Sequence, residues 1–222
     1  MPESAALVTG GAGGLGRFVV DALLGHGWRV VVPVRTASDL DEREALSTVV
    51  ADLTDPDDVA RAVRTASDGP PLRALVNLVG GFAADQPVKD TPLADFERLF
   101  TLNLRPTYLV TQAVLPQLVA AGGGSIVCTA SSAALAPFAG GAGYAASKSA
   151  VIAFARAVAA ECHADGVRCN AIVPTQIDTP ANRQAMPEAD WHKLVPPAKI
   201  ASVVAFLCSE DSAAINGATV PV

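Results

Sequence analysis

The chain lacks the features that mark secreted, metal-dependent or nucleic-acid-binding proteins. Its four cysteines, Cys128, Cys162, Cys169 and Cys208, follow neither metal-ligand nor redox spacing. They are expected as small core residues of a reduced, cytoplasmic protein. His26, His163 and His192 are scattered without ligand spacing, so no metal site is expected. Positive charge is scarce: 16 Lys and Arg face 22 Asp and Glu, a net charge of −6. This argues against nucleic acid and against an anionic membrane as main partners. The opening Met1-Pro2-Glu3-Ser4 has no basic n-region and no signal-peptide core. No uncharged apolar run reaches membrane-spanning length; the best, residues 106–124, is broken by Pro116 and by Gln112 and Gln117. Repeats and long linkers are also missing.

What is present is an Ala-, Val- and Leu-rich chain of 222 residues, half of them hydrophobic. That length supports one domain over 1–222 with a sizeable core, and the composition suits buried parallel strands. Strand-like runs at 5–9, 29–34, 47–51, 74–79, 125–129, 167–173 and 219–222 alternate with helical candidates at 14–26, 56–66, 93–121, 144–164 and 199–209. Asp55-Pro56-Asp57-Asp58 combines a cap residue, a first-position proline and first-turn acids, which together start a helix. The alternation predicts an α/β, three-layer, doubly wound fold with a seven-stranded parallel sheet. Residues 178–197 stand apart as a proline-containing segment of mixed charge, expected to be a short substrate loop.

Thr9-Gly10-Gly11-Ala12-Gly13-Gly14-Leu15-Gly16 follows the first strand and opens the first helix. Glycines there let the backbone turn tightly and approach a pyrophosphate resting on the helix N-terminus, which makes this a Rossmann-type dinucleotide loop. Two registers fit: Gly10, Gly14 and Gly16, or Gly10, Gly13 and Gly16. Farther along, Tyr144 and Lys148 lie four residues apart, on one face of a helix, with Ser131 thirteen residues upstream. An ammonium near a phenol lowers its pKa and suits it to proton transfer.

These motifs, in this order, resemble the short-chain dehydrogenase/reductase family over nearly the whole length. The resemblance includes Thr9-Gly10-x-x-x-Gly14-x-Gly16, Asp52-Leu53-Thr54, Asn77-Leu78-Val79-Gly80, Asn103 in Leu102-Asn103-Leu104, then Ser131, Tyr144 and Lys148. It continues through Val167-Arg168-Cys169-Asn170-Ala171-Ile172-Val173-Pro174 to Asn216-Gly217. The chain leaves no residues for the added substrate domain of the extended branch, which implies the compact branch, similar to 3-oxoacyl-carrier-protein reductases.

The resemblance implies an NAD(P)(H)-dependent oxidoreductase acting on a small carbonyl or alcohol. Asn103, Ser131, Tyr144 and Lys148 are then a catalytic tetrad. Tyr144 exchanges a proton with the carbonyl oxygen, and Lys148 lowers its pKa and holds the nicotinamide ribose. Ser131 orients the substrate, and Asn103 anchors a water beside Lys148. Cofactor contacts are implied for Gly10, Gly14, Leu15, Gly16, Arg35, Asp52, Leu53, Asn77, Tyr144, Lys148, Pro174, Ile177 and Thr179. The second strand ends in Val34-Arg35 with no carboxylate opposing the guanidinium, which favours NADP over NAD. Pro174-Thr175 replaces the family's usual Pro-Gly, and Leu78 and Val79 are bulkier than usual.

A pocket of Gly81, Phe82, Ala133, Phe138 and residues 178–197, with Met186 and Trp191, points to an apolar carbonyl substrate. Helix 144–164 is apolar on nearly all sides, and the resemblance gives it and 93–121 a role in a homodimer or homotetramer. The competing reading is a non-catalytic dinucleotide sensor on the same fold; a sugar-nucleotide epimerase is disfavoured by length.

Overall fold

The structure, a computed structural model, describes residues 2–36, 40, 43–83, 86–186 and 190–222. Residues 187–189 of the expected substrate loop lie outside the described residues.

Seven parallel strands run β1 (Ala5–Thr9), β2 (Arg29–Val34), β3 (Leu46–Val50), β4 (Leu72–Asn77), β5 (Gly124–Thr129), β6 (Val167–Val173) and β7 (Thr219–Pro221). Their order in the sheet is β3-β2-β1-β4-β5-β6-β7. The order reverses between β1 and β4, and in such sheets the crevice at the strands' C-terminal ends is where ligands bind. β1 is buried at every position because helices cover both faces of the sheet.

On one face, α2 (Pro56–Ser67), α4 (Arg105–Ala120) and α5 (Ala142–Glu161) close a core around Leu7, Leu75, Ile126 and Leu118. On the other, α1 (Gly16–Gly25) and α7 (Pro197–Cys208) close a core around Val8, Val30, Ile172 and Leu207. The three layers of the expected fold are therefore present. α2 starts as its sequence predicts: the Asp55 carboxylate accepts from the N–H groups of Asp57 and Asp58, with Pro56 in the first turn. Among the described residues, no helix is long and apolar enough to cross a membrane.

The helix expected over 93–121 is two helices, α3 (Leu93–Asn103) and α4. Leu104 joins them, still in the right-handed region but with φ widened to −107°. Pro106 has no N–H to give to the carbonyl four residues back, and its ring crowds that turn. The break places Asn103 at the end of α3 rather than in mid-helix.

The glycine loop needs its glycines for two different reasons. Gly10 has φ +69°, the left-handed region that favours glycine. Gly16 is held by close approach: a Cβ there would lie 2.1 Å from the Gly10 carbonyl oxygen and 2.6 Å from the Gly11 Cα. Both obstacles are backbone, so Gly16→Ala forces the loop apart. We expect it to cost about 2–3 kcal/mol of stability, read as a lowered melting temperature; an unchanged transition would contradict the packing described.

Candidate active site

Two clefts open at the C-terminal edge of the sheet. The first, of about 550 Å³, is lined by Gly10, Gly13, Val34, Arg35, Asp52, Leu53 and Gly80, among others. The parallel pairing of β1 with β2 and with β4 brings the glycine loop, the end of β2 and the turn after β4 to this one place. The Thr9 hydroxyl accepts the N–H groups of Leu78 at 3.1 Å and Val79 at 3.4 Å, tying the β1 loop to the β4 loop. Asp52 turns its carboxylate onto the Thr54 N–H at 2.9 Å and the Thr54 hydroxyl at 2.8 Å. These bonds hold its carboxyl below the usual value, with Arg35 adding a smaller push. Asp52 is thus a carboxylate within electrostatic reach of Arg35, which corrects the expectation that none opposes it.

The second cleft, of about 680 Å³, is lined by Ser131, Ala133, Tyr144, Phe82, Phe138 and Met186, with Gln176, Asn182 and Lys193 as further polar groups. Phe82 meets Tyr144 edge-on, ring centroids 4.9 Å apart, and Phe138 at 6.4 Å. Gly81 instead gives its N–H to the Asn103 Oδ1 at 2.8 Å. Trp191 gives its indole N–H to the Met186 carbonyl at 3.3 Å and lies 4.8 Å under the Arg183 guanidinium, so it staples the segment. That segment contains α6 (Pro180–Ala185), capped by the Thr179 hydroxyl. The Asp178 carboxylate accepts two hydrogen bonds from Arg183, and Ile177 bridges to Val195.

Lys148 stands between the clefts, near Gly80 of the first and one turn from Tyr144 of the second. α5 presents Tyr144 and Lys148 one turn apart, as their spacing predicts. The Lys148 ammonium is nearly buried and donates to the Thr129 carbonyl at 3.0 Å. A Cβ added to Gly80 would sit 2.9 Å from the Lys148 Nζ and 2.7 Å from the Asn103 Oδ1, so a side chain there would have to displace one or both. The Asn103 side chain is engaged at both ends, accepting from Gly81 and donating to the Ser147 Oγ at 3.0 Å; Ser147 in turn donates to the Tyr144 carbonyl at 2.8 Å. Asn103 therefore braces the first turn of α5 against the β4 loop.

Charge at this junction differs from the expectation. Burial raises the Tyr144 hydroxyl above the ordinary phenol value, opposed by a hydrogen bond with Ser131. Desolvation likewise pushes Lys148 down to about 8. The predicted lowering of Tyr144 by Lys148 is not seen: burial dominates, and the ammonium is turned to the Thr129 carbonyl.

Several expected cofactor contacts fall outside the first cleft. Asn77 is buried and donates to the Thr111 hydroxyl on α4 at 3.2 Å, so it clamps helix to sheet. Leu15 immediately precedes α1, and Gly16 packs on the loop. Thr179 touches the glycine loop from the side: a Cβ on Gly14 would lie 2.9 Å from its methyl group. Pro174 accepts the Ser132 N–H at 2.9 Å, which fixes Ser131 beside the second cleft. Residues to which the motifs assigned no role are Arg17 in the first cleft, Gly80, the last residue of the β4 motif, beside Lys148, and Ser147 bonded to the Tyr144 carbonyl. Ser147 was within sight, one position before Lys148 on the same helix.

A dinucleotide fits the first cleft on the structure's own terms. α1 starts with no side-chain cap and no acidic residue in its first turn, leaving the positive helix end open to an anion. Among the described residues, no group of three His, Cys, Asp or Glu is placed to hold a metal ion.

Comparison with known proteins agrees with this architecture. The family model for short chain dehydrogenases matches residues 4–190. The chain is 31% identical to 2-(R)-hydroxypropyl-CoM dehydrogenase of Xanthobacter autotrophicus, over 96% of this chain and 94% of that protein. It is 35% identical to (3R)-3-hydroxyacyl-CoA dehydrogenase of Mus musculus, over 98% and 93%. The crystal structure of 3-ketoacyl-(acyl-carrier-protein) reductase from Brucella melitensis complexed with NADH superposes with a TM-score of 0.86 at 27% identity, covering 100% of this chain and 97% of that one.

Proposed function

The chain belongs to the short chain dehydrogenase family, and on that premise we propose that it is an NAD(P)(H)-dependent oxidoreductase interconverting a ketone or aldehyde with an alcohol. The observation that supports this reading is that Lys148 lies between the two clefts, close to Gly80 of the first and one helical turn from Tyr144 of the second. A dinucleotide in the first cleft supplies the hydride. Gly10, Gly13 and the start of α1 would hold its phosphates, and Asp52 and Leu53, which line the same cleft, would serve its adenosine half.

Tyr144 is the general acid and base. Its raised pKa keeps the hydroxyl protonated at neutral pH, ready to give its proton to a carbonyl oxygen. Ser131 lines the same cleft, lowers the Tyr144 pKa against the effect of burial, and would orient the same oxygen. Lys148 brings a buried cation to the junction, and Asn103 keeps α5 at the right distance from the β4 loop. Phe82, Phe138 and Met186 give the second cleft an apolar wall, which suits a carbonyl with an apolar flank.

The deciding experiment is a titration with NADPH and NADH followed by a carbonyl panel. Binding without turnover across broad carbonyl classes would favour the sensor reading instead. Arg35 lines the cleft at the end of β2, and a guanidinium suits a 2′-phosphate. NADPH is therefore the expected donor. Arg35→Ala should raise the NADPH KM about tenfold or more and the NADH KM less than about twofold; equal effects would sink the assignment. The outer face of α4 and α5 exposes Tyr108 against Phe154, which supports self-association into a homodimer or homotetramer.

A further inference from the structure

Thr175 stands where the family usually has glycine, and it carries a hydroxyl into the second cleft. No described residue other than glycine has a positive φ, so the turn after β6 does not require glycine and leaves room for a side chain. Two backbone bonds fix its place at the C-terminal edge of the sheet. The Thr175 N–H donates to the Val222 carbonyl at 3.2 Å, and the Pro174 carbonyl accepts from Ser132 at 2.9 Å. Ser132 adjoins Ser131, so Thr175 follows directly on the bond that anchors Ser131, and both line the cleft with Tyr144. A β-branched side chain keeps few rotamers, which holds the hydroxyl in place.

The cleft has two unlike sides. Phe82, Phe138 and Tyr144 come from the loops after β4 and β5 and from the start of α5, and form one aromatic group. Thr175, Gln176, Asn182 and Lys193 come from the segment after β6. Asn182 lies within 2.8 Å of the Ile177 carbonyl. A carbonyl oxygen only accepts, so the amide nitrogen is the atom turned to Ile177 and the Asn182 Oδ1 is left over. Among the described residues, neither the Asn182 Oδ1 nor the Thr175 hydroxyl has a hydrogen-bond partner. This side thus offers one acceptor and one group that both donates and accepts, the complement of a neutral hydroxyl. An anion matches less well. The amide oxygen repels it, and Lys193, the charged group among the described residues on this side, already pairs with the Asp190 carboxylate at 3.4 Å.

We propose that the substrate is a hydroxyketone, with a neutral hydroxyl on the carbon next to the reacting carbonyl or on the one after it, and that Thr175 and Asn182 select it. This rests on the oxidoreductase reading above. The reacting oxygen lies at Ser131 and Tyr144, and the aromatic side covers the hydrocarbon part. The second hydroxyl donates to the Asn182 Oδ1 and accepts from Thr175, and it passes through the reaction unchanged.

The test is the initial rate of nicotinamide-dependent reduction for two isosteric pairs that exchange hydroxyl for methyl: 2-hydroxyacetophenone with propiophenone, and 3-hydroxypropiophenone with butyrophenone. Benzoylformate supplies the anionic arm. In the wild type, kcat/KM for at least one hydroxyketone should exceed that of its partner about tenfold or more, and should also exceed that of benzoylformate. Thr175→Val keeps the shape and removes the hydroxyl; it should bring that ratio to within about twofold. Thr175→Ser, which restores the hydroxyl, should keep it above about fivefold. Plain ketones reduced as well as hydroxyketones in the wild type, or benzoylformate reduced best, would sink this assignment alone. A ratio unchanged in Thr175→Val would do the same. If no carbonyl of any kind is reduced, the oxidoreductase reading fails and this assignment falls with it.

Discussion

Tyr144→Phe is expected to lower kcat by about 10³-fold while leaving cofactor affinity within about twofold. The substitution removes one oxygen and little else. Phe keeps the edge-on packing with Phe82 at 4.9 Å, and the backbone carbonyl that holds Ser147 is untouched. The fold and both clefts should therefore persist, and the loss isolates the hydroxyl. Single-turnover reduction with pre-bound NADPH, followed by the loss of cofactor absorbance, reads the chemical step directly. Retention of more than about a tenth of wild-type turnover would mean that another group delivers the proton.

The second large effect combines lost activity with gained stability. Lys148 is almost wholly buried, and in the described structure its ammonium meets a carbonyl rather than a carboxylate. Burial pushes it from 10.5 down to about 8. The unfolded chain therefore binds a proton between those values that the folded chain does not, and stability rises as pH climbs from 8 to 10.5. Below pH 8 the protein carries the full cost of the buried charge, on the order of 3 kcal/mol. Lys148→Met removes that cost but forfeits the bond to the Thr129 carbonyl, worth about 1 kcal/mol. At pH 7 the variant should melt higher than wild type, with turnover reduced about 10²-fold or more. Its thermal advantage should shrink as pH rises above 8. A variant that melts lower at pH 7 would show that the ammonium is better solvated than its burial implies.

These two residues also mark how far the sequence could be read. Their four-residue spacing on a helix, their neighbour Ser131 and the glycine loop were all legible, because each depends on local geometry and on residue types with few other uses. The sign of the Tyr144 shift was not legible. Spacing places an ammonium near a phenol, but desolvation of both groups depends on what α5 packs against, and here burial dominates. Asn77 shows the same limit: its motif marks the end of β4, yet only the packing of α4 turns its amide away from the cleft and onto Thr111. Trp191 was readable as a large apolar residue near the site, and only the fold shows it serving Met186 and Arg183 instead.

The sequence by itself determined the seven strands, the capped start of α2, the dinucleotide loop and the order of the site motifs. Those follow from hydrophobic runs, glycine and proline, whose effects act within a few residues. The tertiary structure decided which side chains share a cleft. It lined one cleft with residues from the ends of β1, β2 and β4, set Asp52 near Arg35, and placed Gly80 where an added Cβ would crowd both Lys148 and Asn103. Such meetings join residues far apart in the chain, and burial then sets their charges. Neither is written in any local pattern.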